Sequence, residues 1–236
     1  MSSSEGLFTR IDNRLLAVLP HDEYERLLPK LEPVRLPKHR ILFKAGDPIR
    51  GAYFINSGMA SLLAIENGET IEIGSVGREG FIGAPIVPRG GVAPYRAMTQ
   101  TQTDAYRVDA EVLVAEFNRG DKLNELILLY SRVLETQLTQ AVICNLFHNI
   151  PQRLSRYLLV TSDSLLSESF DLTQETIANM LGKDRNQVGT AASEMQKKGW
   201  IEYRRGSITL LDRKRLEASA CECYRIVKES IAVLFK

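Results

Sequence analysis

Apolar residues follow three different periodicities along the chain, and each predicts a different kind of structure. From about residue 34 to residue 108, short apolar stretches are separated by turns that contain glycine. Between residues 122 and 149, apolar residues recur every three or four positions, which is typical of a long helix. After residue 150, short helical and extended patterns alternate. We therefore predict an α+β protein with three segments, at residues 1–120, 121–150 and 151–236.

The first segment has the pattern of many short strands. Its extended stretches lie at residues 41–43, 52–55, 60–65, 70–73 and 103–108, and turn sequences separate them at 45–48, 56–58, 66–68 and 76–80. Short strands at close spacing are typical of an antiparallel barrel or sandwich. We predict an N-terminal antiparallel β-barrel.

The second segment predicts one long helix with an apolar seam. Such a seam pairs with a copy of itself in a coiled coil, whereas packing on the chain's own barrel is the alternative. Because the helix is too long for one small barrel to cover, we predict that it forms a homodimer. The predicted interface residues are Leu126, Tyr130, Val133, Leu134, Leu138, Ala141 and Asn145, and His148 continues the same seam.

The third segment has the pattern of a helix-turn-helix. Thr173 is placed to cap one helix, and Asp184 is placed to cap the next, with Gln187 completing a capping box. Gly182 suits the left-handed turn of a tight corner between two helices. Val188 is placed to fill the angle between them. A short helical hairpin in an unrelated core is the alternative interpretation.

The outer face of the second helix carries polar and basic side chains, which suit base edges and phosphates in a major groove. The pattern at residues 201–211 predicts a β-hairpin with two arginines near its tip, where they can contact phosphate. We therefore predict a winged helix-turn-helix that binds double-stranded DNA. The predicted DNA contacts are Thr173, Lys183, Arg185, Asn186, Gln187, Thr190, Ser193, Lys197, Arg204 and Arg205.

Composition narrows the function only slightly. Of 236 residues, 44% are hydrophobic and 25% are charged, which is ordinary for a globular protein. The formal net charge of +1 neither favours nor opposes nucleic acid as a partner. We expect no membrane span, no export signal and a cytoplasmic location. The sequence has no recognisable catalytic motif, so we predict that the chain is not an enzyme.

The cysteines are few and do not indicate a disulfide framework. Cys144, Cys221 and Cys223 form no Cys-x-x-Cys pair. Placed on one helix, Cys221 and Cys223 point to different faces, which makes a poor metal clamp. We therefore expect no metal site and no cofactor.

A barrel, a long self-pairing helix and a winged helix, in this order, resemble the Crp/Fnr family of bacterial transcription regulators. The most specific stretch is 172–190, which matches the family's recognition segment in spacing, while 204–212 and 220–224 look like a proteobacterial subgroup. The turns at 46–47 and 56–58 are similar to those of the cyclic-nucleotide-binding fold. The resemblance implies a cyclic-nucleotide-binding-like jelly roll and a homodimer that reads a near-palindromic site through helix 184–198. It also implies RNA polymerase as a partner.

The sensor segment departs from family members that bind cyclic AMP. Those members have a glutamate for the ribose directly after a Phe-Ile-Gly-like strand, whereas Ala84 follows Gly83 here. A ribose hydroxyl is left unpaired without that carboxylate. Arg96 takes the place of the phosphate arginine only if residues are inserted around 89–91. Gly83, Ala84 and Arg96 remain the candidate ligand residues, and we predict that cyclic AMP does not control the protein.

Three other kinds of effector can be compared with the sequence, namely a small anion, an iron–sulfur cluster that senses oxygen, and haem. The alternative is a regulator that responds to a cyclic nucleotide or another small ligand, such as an anion, bound by the loop 77–98. The Fnr type of oxygen sensing needs an N-terminal cysteine cluster, and no cysteine precedes Cys144. Haem sensing needs a histidine ligand, but we expect only surface or capping roles for His21, His39 and His148.

The DNA contacts also differ from those of relatives of the cyclic-AMP receptor. Arg185 matches the first arginine of their recognition helix, but Asn186 replaces a glutamate and Thr190 replaces the second arginine. We therefore expect a different operator. An enzyme and a nucleotide-binding module whose winged helix binds protein are the competing classes. The polar and basic helix face favours DNA over a protein partner.

Overall fold

A computed structural model of the chain describes residues 10–86 and 91–236. The chain packs as two compact units. The first contains the described residues of Met1–Leu63, Ser75–Leu134 and Ile231–Lys236, and the second contains Ala64–Gly74 and Glu135–Ser230. The division falls inside the long helix, so this helix contributes to both units. The three-segment limits at residues 120 and 150 stay a prediction.

The first unit is built on antiparallel strands. Two short helices precede them, α1 (Arg14–Ala17) and α2 (His21–Leu27). The strands are β1 (Glu32–Leu36), β2 (Ile41–Phe43), β3 (Gly51–Ser57), β4 (Ala60–Glu66), β5 (Glu69–Val76), β6 (Phe81–Ile82), β7 (Arg96–Thr99) and β8 (Thr103–Asp109). The tip of the β4–β5 hairpin belongs to the second unit. Each stretch that the sequence predicted as extended forms a strand here.

These strands form two four-stranded sheets with the orders β1-β8-β3-β6 and β2-β7-β4-β5. The predicted closed barrel is therefore corrected to a jelly-roll-like pair of sheets, because each sheet keeps two edge strands of its own. β8 pairs with β1 on one side and with β3 on the other, so it lies inside its sheet. The predicted α+β class with an N-terminal antiparallel domain is confirmed.

An aromatic cluster forms the core of the first unit. Phe54 on β3 stacks on Phe81 on β6 with ring centroids 5.0 Å apart, and Phe81 lies 5.2 Å from Tyr130. All three side chains are fully buried. The buried side-chain amide of Asn13 donates hydrogen bonds to the carbonyl oxygens of Ile55 and Gly80, each at 2.8 Å. Asn13 therefore supplies hydrogen-bond donors to two backbone carbonyl oxygens beside the core.

The predicted long helix is present as α4 (Lys122–Phe147), after the shorter helix α3 (Ala110–Phe117). Most of its predicted dimer seam is already buried within a single chain, and the assignment of those residues to an interface stays a prediction. The buried seam residues are Leu126, Tyr130, Val133, Leu134 and Ala141. Part of the reason is the aromatic core, because Tyr130 packs against Phe81. A side chain that is already covered by its own chain has no apolar area left for a partner.

The other two seam residues differ from this group. Leu138 is 36% exposed, and Asn145 is half-buried and accepts a hydrogen bond from Arg153 through its side-chain oxygen. The exposed large apolar residues of α4 are Leu128, Leu138, Val142, Leu146 and Phe147. The apolar surface of α4 that is open to a partner therefore shares only Leu138 with the predicted seam.

The second unit contains the C-terminal elements together with the end of α4. They are α5 (Ile150–Leu165), β9 (Ser169–Asp171), α6 (Gln174–Leu181), α7 (Arg185–Lys197), β10 (Ile201–Arg204), β11 (Ser207–Leu210), α8 (Arg213–Ser219) and α9 (Cys223–Val233). The three strands form an antiparallel sheet in the order β10-β11-β9. In the part of the chain that the structure describes, no helix is long and apolar enough to cross a membrane.

We predict that Gly80→Ala destabilises the first unit, because a Cβ at this position overlaps the ring of Tyr130. Overpacking of a filled core costs about 1–3 kcal/mol of unfolding free energy. Urea unfolding followed by circular dichroism measures the loss. The matched control is Gly189→Ala in α7, where the new Cβ meets the side-chain oxygen of Gln174 at 3.1 Å. This control is expected to be neutral or stabilising, and equal stability of Gly80→Ala and the parent chain would contradict the packing argument.

Candidate nucleic-acid interface

Two helices meet at a tight corner that directs the second helix outward. The Thr173 hydroxyl caps α6 by accepting a hydrogen bond from the backbone N–H of Thr176 at 3.0 Å. Gly182 then takes a left-handed conformation with φ +56°. After the corner, the Asp184 carboxylate caps α7 by accepting a bond from the N–H of Asn186 at 2.8 Å. The predicted caps and corner are therefore present.

The predicted capping box at the start of α7 is not formed. Among the described residues, Asp184 binds the backbone of Asn186, and no bond returns from the side chain of Gln187, which is exposed. An exposed Gln187 remains available to an external partner. A reciprocal capping box does occur elsewhere, at the start of α5, between Asn149 and Gln152.

Helix α7 has one buried face and one exposed face, as the sequence predicts. The buried residues are Val188, Ala191, Ala192 and Met195, and Val188 is completely covered. The Thr190 hydroxyl donates to the Asn186 carbonyl oxygen at 2.9 Å, so its methyl group and the lone pairs of its hydroxyl oxygen are left for other contacts. The predicted DNA contacts are all exposed, namely Thr173, Lys183, Arg185, Asn186, Gln187, Thr190, Ser193, Lys197, Arg204 and Arg205.

The basic side chains of this face are not neutralised within the chain. Among the described residues, the ion pairs of the second unit involve Arg213, Arg225 and Lys228, and none involves a cation of the α7 face or the hairpin tip. Lys198 differs from the exposed cations beside it, because its ammonium lies 4.9 Å from the ring centroid of Trp200. Exposed cations without a carboxylate partner are available to phosphate groups.

The wing is a hairpin with a two-residue turn. Arg204 on β10 pairs with Ser207 on β11, so Arg205 and Gly206 form the turn. Both have positive φ, +51° and +85°, as a type I′ turn requires. Arg205 therefore stands at the tip in a left-handed conformation, with its side chain exposed. The predicted hairpin with arginines at its tip is confirmed.

Hydrogen bonds that the sequence did not reveal connect the wing to both helices. The Tyr203 hydroxyl accepts a bond from the N–H of Gln174, in the first turn of α6, at 3.1 Å. The N–H of Tyr203 donates to the side-chain oxygen of Gln196 on α7 at 2.9 Å. The Gly206 carbonyl oxygen accepts from the N–H of Leu172 at 2.8 Å. These hydrogen bonds therefore hold the wing arginines and the exposed face of α7 in a fixed arrangement.

A buried arginine binds the end of α6, directly before the corner between α6 and α7. Arg153 on α5 is 3% exposed, and its guanidinium donates to the Asn145 side-chain oxygen and to the Leu181 carbonyl oxygen. Leu181 is the last residue of α6, so this bond satisfies a helix-end carbonyl. Burial lowers the pKa of Arg153. Arg153 was not among the predicted functional residues, and a lone arginine in an amphipathic helix gave no signal for it.

The candidate ligand residues follow β6 and begin β7, which belong to different sheets of the first unit. Gly83 is buried with φ +114°, and a Cβ there would approach the Cα of Ala52 to 3.0 Å. Ala84 is 7% exposed and begins a short 3₁₀ turn. Arg96 is half-buried at the start of β7, and its Nε is buried without a hydrogen-bond partner among the described residues. Residues 89 and 90, at the insertion that Arg96 needs to take the place of the phosphate arginine, lie outside the described residues.

The three cysteines lie together, contrary to the expectation that Cys221 and Cys223 face apart. α9 begins only at Cys223, and Cys221 precedes it in a turn, so the helical spacing argument does not apply. The Sγ atoms of Cys144 and Cys221 are 3.6 Å apart. A hydrogen bond from the Cys221 thiol lowers the pKa of the Cys144 thiol, and the positive charge of Arg156 acts in the same direction.

Two family models match this chain, one in its N-terminal half and one in its C-terminal half. A family model described as a Crp-like helix-turn-helix domain matches residues 152–219, and one described as a cyclic nucleotide-binding domain matches residues 33–120. A "CRP-like cAMP-activated global transcriptional regulator" of Mycobacterium tuberculosis is 27% identical over 226 residues, which cover 91% of this chain and 96% of that protein.

Solved structures of low sequence identity share the fold. The c-di-GMP responsive global regulator CLP of Xanthomonas campestris has a TM-score of 0.66 and 20% identity, over 81% of this chain and 99% of that one. A CRP-family transcriptional regulator of Thermus thermophilus has a TM-score of 0.66 and 18% identity, over 79% of this chain and 96% of that one. The chain belongs to the Crp/Fnr family and is a Crp-like transcription regulator with a cyclic nucleotide-binding domain and a helix-turn-helix DNA-binding domain.

Proposed function

We propose that the protein acts as a homodimer that reads a near-palindromic DNA site, with one α7 helix in the major groove of each half-site. The observation that carries this proposal is the exposed face of α7 and the wing, whose cations have no carboxylate partner among the described residues. Two such helices one helical turn apart are the usual geometry of dimeric helix-turn-helix proteins. RNA polymerase is the further partner that the family resemblance implies.

The side chains at the start of α7 are proposed to read bases. Arg185 and Asn186 occupy the first helical turn, which enters the groove most deeply in this class of motif. An arginine suits the two acceptors of guanine, and an asparagine suits adenine. The exposed methyl group of Thr190, left by its bond to the Asn186 carbonyl, suits a thymine methyl.

The remaining cations are proposed to position the protein on the DNA backbone. Arg205 stands at the tip of a two-residue turn, and Arg204 directly precedes it. Lys183 precedes α7 and Lys197 ends it. Contacts of this kind go to phosphates and fix the register without reading sequence.

The dimer is proposed to form through an exposed apolar stripe near the end of α4. Leu138, Val142 and Leu146 are spaced by four residues, so they share one side of the helix. Their exposures are 36%, 60% and 71%, which is unusual for large aliphatic side chains in one row. Pairing with a second copy removes this row from water, as in the apolar seam of a coiled coil.

Control by cyclic AMP is not part of the proposal. The relative from Mycobacterium tuberculosis is named as cAMP-activated, but the position after Gly83 here is a buried alanine, which cannot accept a bond from a ribose hydroxyl. The unpartnered Nε of Arg96 favours a second candidate, a small anion as effector. A guanidinium donor held without a partner is ready to bind a negatively charged group.

We predict different effects for the base-reading and the phosphate-binding arginines. Arg185→Ala is expected to weaken binding to the specific site by about 1–3 kcal/mol and to leave nonspecific DNA little affected. Arg205→Asn is expected to weaken binding to all sequences and to reduce the salt slope by about one unit, while asparagine keeps the left-handed turn. Titrations of an operator selected from genomic fragments, at several salt concentrations, separate the two effects. Equal losses for both variants on every sequence would contradict this assignment.

The proposed dimer face gives a prediction for the oligomeric state. Val142→Glu and Leu146→Glu are each expected to give a folded monomer, because pairing would bury an uncompensated carboxylate at the two-fold contact. Val18→Glu is the control, since Val18 is an exposed apolar residue that lies outside α4. Sedimentation velocity measures the state of each variant. If both α4 variants sediment as dimers, the interface lies elsewhere.

For the effector, we predict that calorimetry detects no binding of cyclic AMP or cyclic GMP at micromolar concentration. DNA affinity is expected to be the same with and without either nucleotide. The cAMP-activated relative serves as the positive control in the same buffer. Micromolar affinity that is lost in Arg96→Ala, together with tighter DNA binding, would overturn the proposal.

A further inference from the structure

Four potential metal ligands converge at the end of α4 and the turn before α9. They are Cys144, His148, Cys221 and Cys223. The three cysteines are 3%, 4% and 1% exposed, and the histidine is half-buried. One ligand atom from each residue lies within 4.8 Å of every other. Neither DNA binding nor dimer formation, as proposed above, uses any of these side chains.

We propose that Cys144, His148, Cys221 and Cys223 bind one zinc ion in a tetrahedral Cys₃His site. Zinc takes thiolate sulfur at about 2.3 Å and imidazole nitrogen at about 2.0 Å, so neighbouring ligand atoms in a tetrahedron lie about 3.5–3.8 Å apart. The Sγ atoms of Cys144 and Cys221 are 3.6 Å apart. Cys223 Sγ and His148 Nδ1 are also 3.6 Å apart.

The compactness of the four ligand atoms selects a single ion over an iron–sulfur cluster. A cluster places several iron and sulfide atoms between its cysteine ligands, and these keep the ligand sulfur atoms farther apart than one ion does. A spread of no more than 4.8 Å leaves room for one metal centre. The ligand set itself is that of a closed structural zinc site, which has four protein ligands and no open position.

The surroundings of the cluster match the charge of the proposed site. Three thiolates, one neutral imidazole and one divalent cation give a net charge of −1. The positive charges of Arg156 and Arg153 act on Cys144. Arg153 is buried beside the cluster, and the Nε of Arg156 is buried without a hydrogen-bond partner among the described residues. Donors of this kind commonly bind the ligands of a metal from the outer shell and stabilise their charge.

A disulfide between Cys144 and Cys221 explains the cluster less well. Such a bond uses two of the four side chains and gives no reason for Cys223 and His148 to point to the same place. A zinc ion uses all four. It joins the C-terminal end of α4 to the start of α9, and its binding free energy contributes directly to the stability of the second unit.

The test begins with the full-length protein, purified under reducing, metal-chelator-free conditions after removal of any affinity tag. Elemental analysis is expected to find one zinc per chain. Cys144→Ser and Cys223→Ser are expected to lose the zinc. His148→Ala is expected to bind it more weakly, so that a chelator removes it faster. His39→Ala is the matched control for His148→Ala, since His39 is exposed in the first unit, and it is expected to retain zinc like the parent chain.

A spectroscopic measurement keeps the test valid if the serine variants do not fold. Replacement of the bound metal by cobalt(II) in the parent chain is expected to give the intense visible bands of a tetrahedral site and a near-ultraviolet band from thiolate-to-cobalt charge transfer. Zinc at background level, iron with sulfide in its place, or a Cys144–Cys221 disulfide in protein prepared without oxygen would overturn the proposal. Retention of zinc by both serine variants would also overturn it. None of these outcomes depends on whether the protein binds DNA.

Discussion

The left-handed corner at Gly182 determines which side of α7 faces outward. A residue with a Cβ meets two obstacles here, since φ is +56° and the Cβ would approach Ile71 Cδ1 to 2.9 Å. Ile71 lies in the tip of the β4–β5 hairpin, within the same compact unit. The corner also carries its own hydrogen bond, from the N–H of Lys183 to the Ala178 carbonyl oxygen at 3.0 Å. With the corner fixed, burial of Val188 leaves only the polar face of α7 exposed.

Local signals made this part of the molecule readable from sequence. Caps, a corner glycine and helical periodicity act within a few residues, so Thr173, Gly182 and Asp184 were identified with their observed roles. Two details depended on more than local spacing. The predicted hydrogen bond from the Gln187 side chain to the backbone of Asp184 is absent, because the Gln187 side chain is exposed. The wing is held by the Tyr203 hydroxyl, which accepts from the N–H of Gln174, 29 residues away in sequence.

Helix α4 shows what apolar periodicity does and does not determine. Its extent was predicted closely, since a repeat of three and four residues defines a helix whatever covers it. The same repeat does not say what covers the apolar face. Tyr130 is buried by Phe81 of the same chain, whereas Val142 and Leu146 are exposed on another stripe. A helix with apolar residues on more than one side needs a structure to show which of them remain free for a partner.

The cysteine cluster was missed for a different reason. The prediction treated Cys221 and Cys223 as residues of one helix, but the helix begins at Cys223. A usable signal was present elsewhere, because Cys144 and His148 are separated by four residues near the predicted end of α4, and that spacing places both on one side of a helix. Their approach to residues more than seventy positions later is a tertiary contact, which no local pattern reports.

Arg153 connects these features within the second unit. Its guanidinium donates to Asn145, near the end of α4, and to Leu181, directly before the corner. Separating the buried guanidinium of Arg153 from these two acceptors costs a large free energy. The end of α4 and the start of the α6–α7 corner are therefore held at a fixed separation. In the proposed dimer, α4 carries the two-fold contact and α7 carries the DNA contact. In that arrangement, the hydrogen bonds of Arg153 link the helix that carries the two-fold contact to the helix pair that contacts DNA.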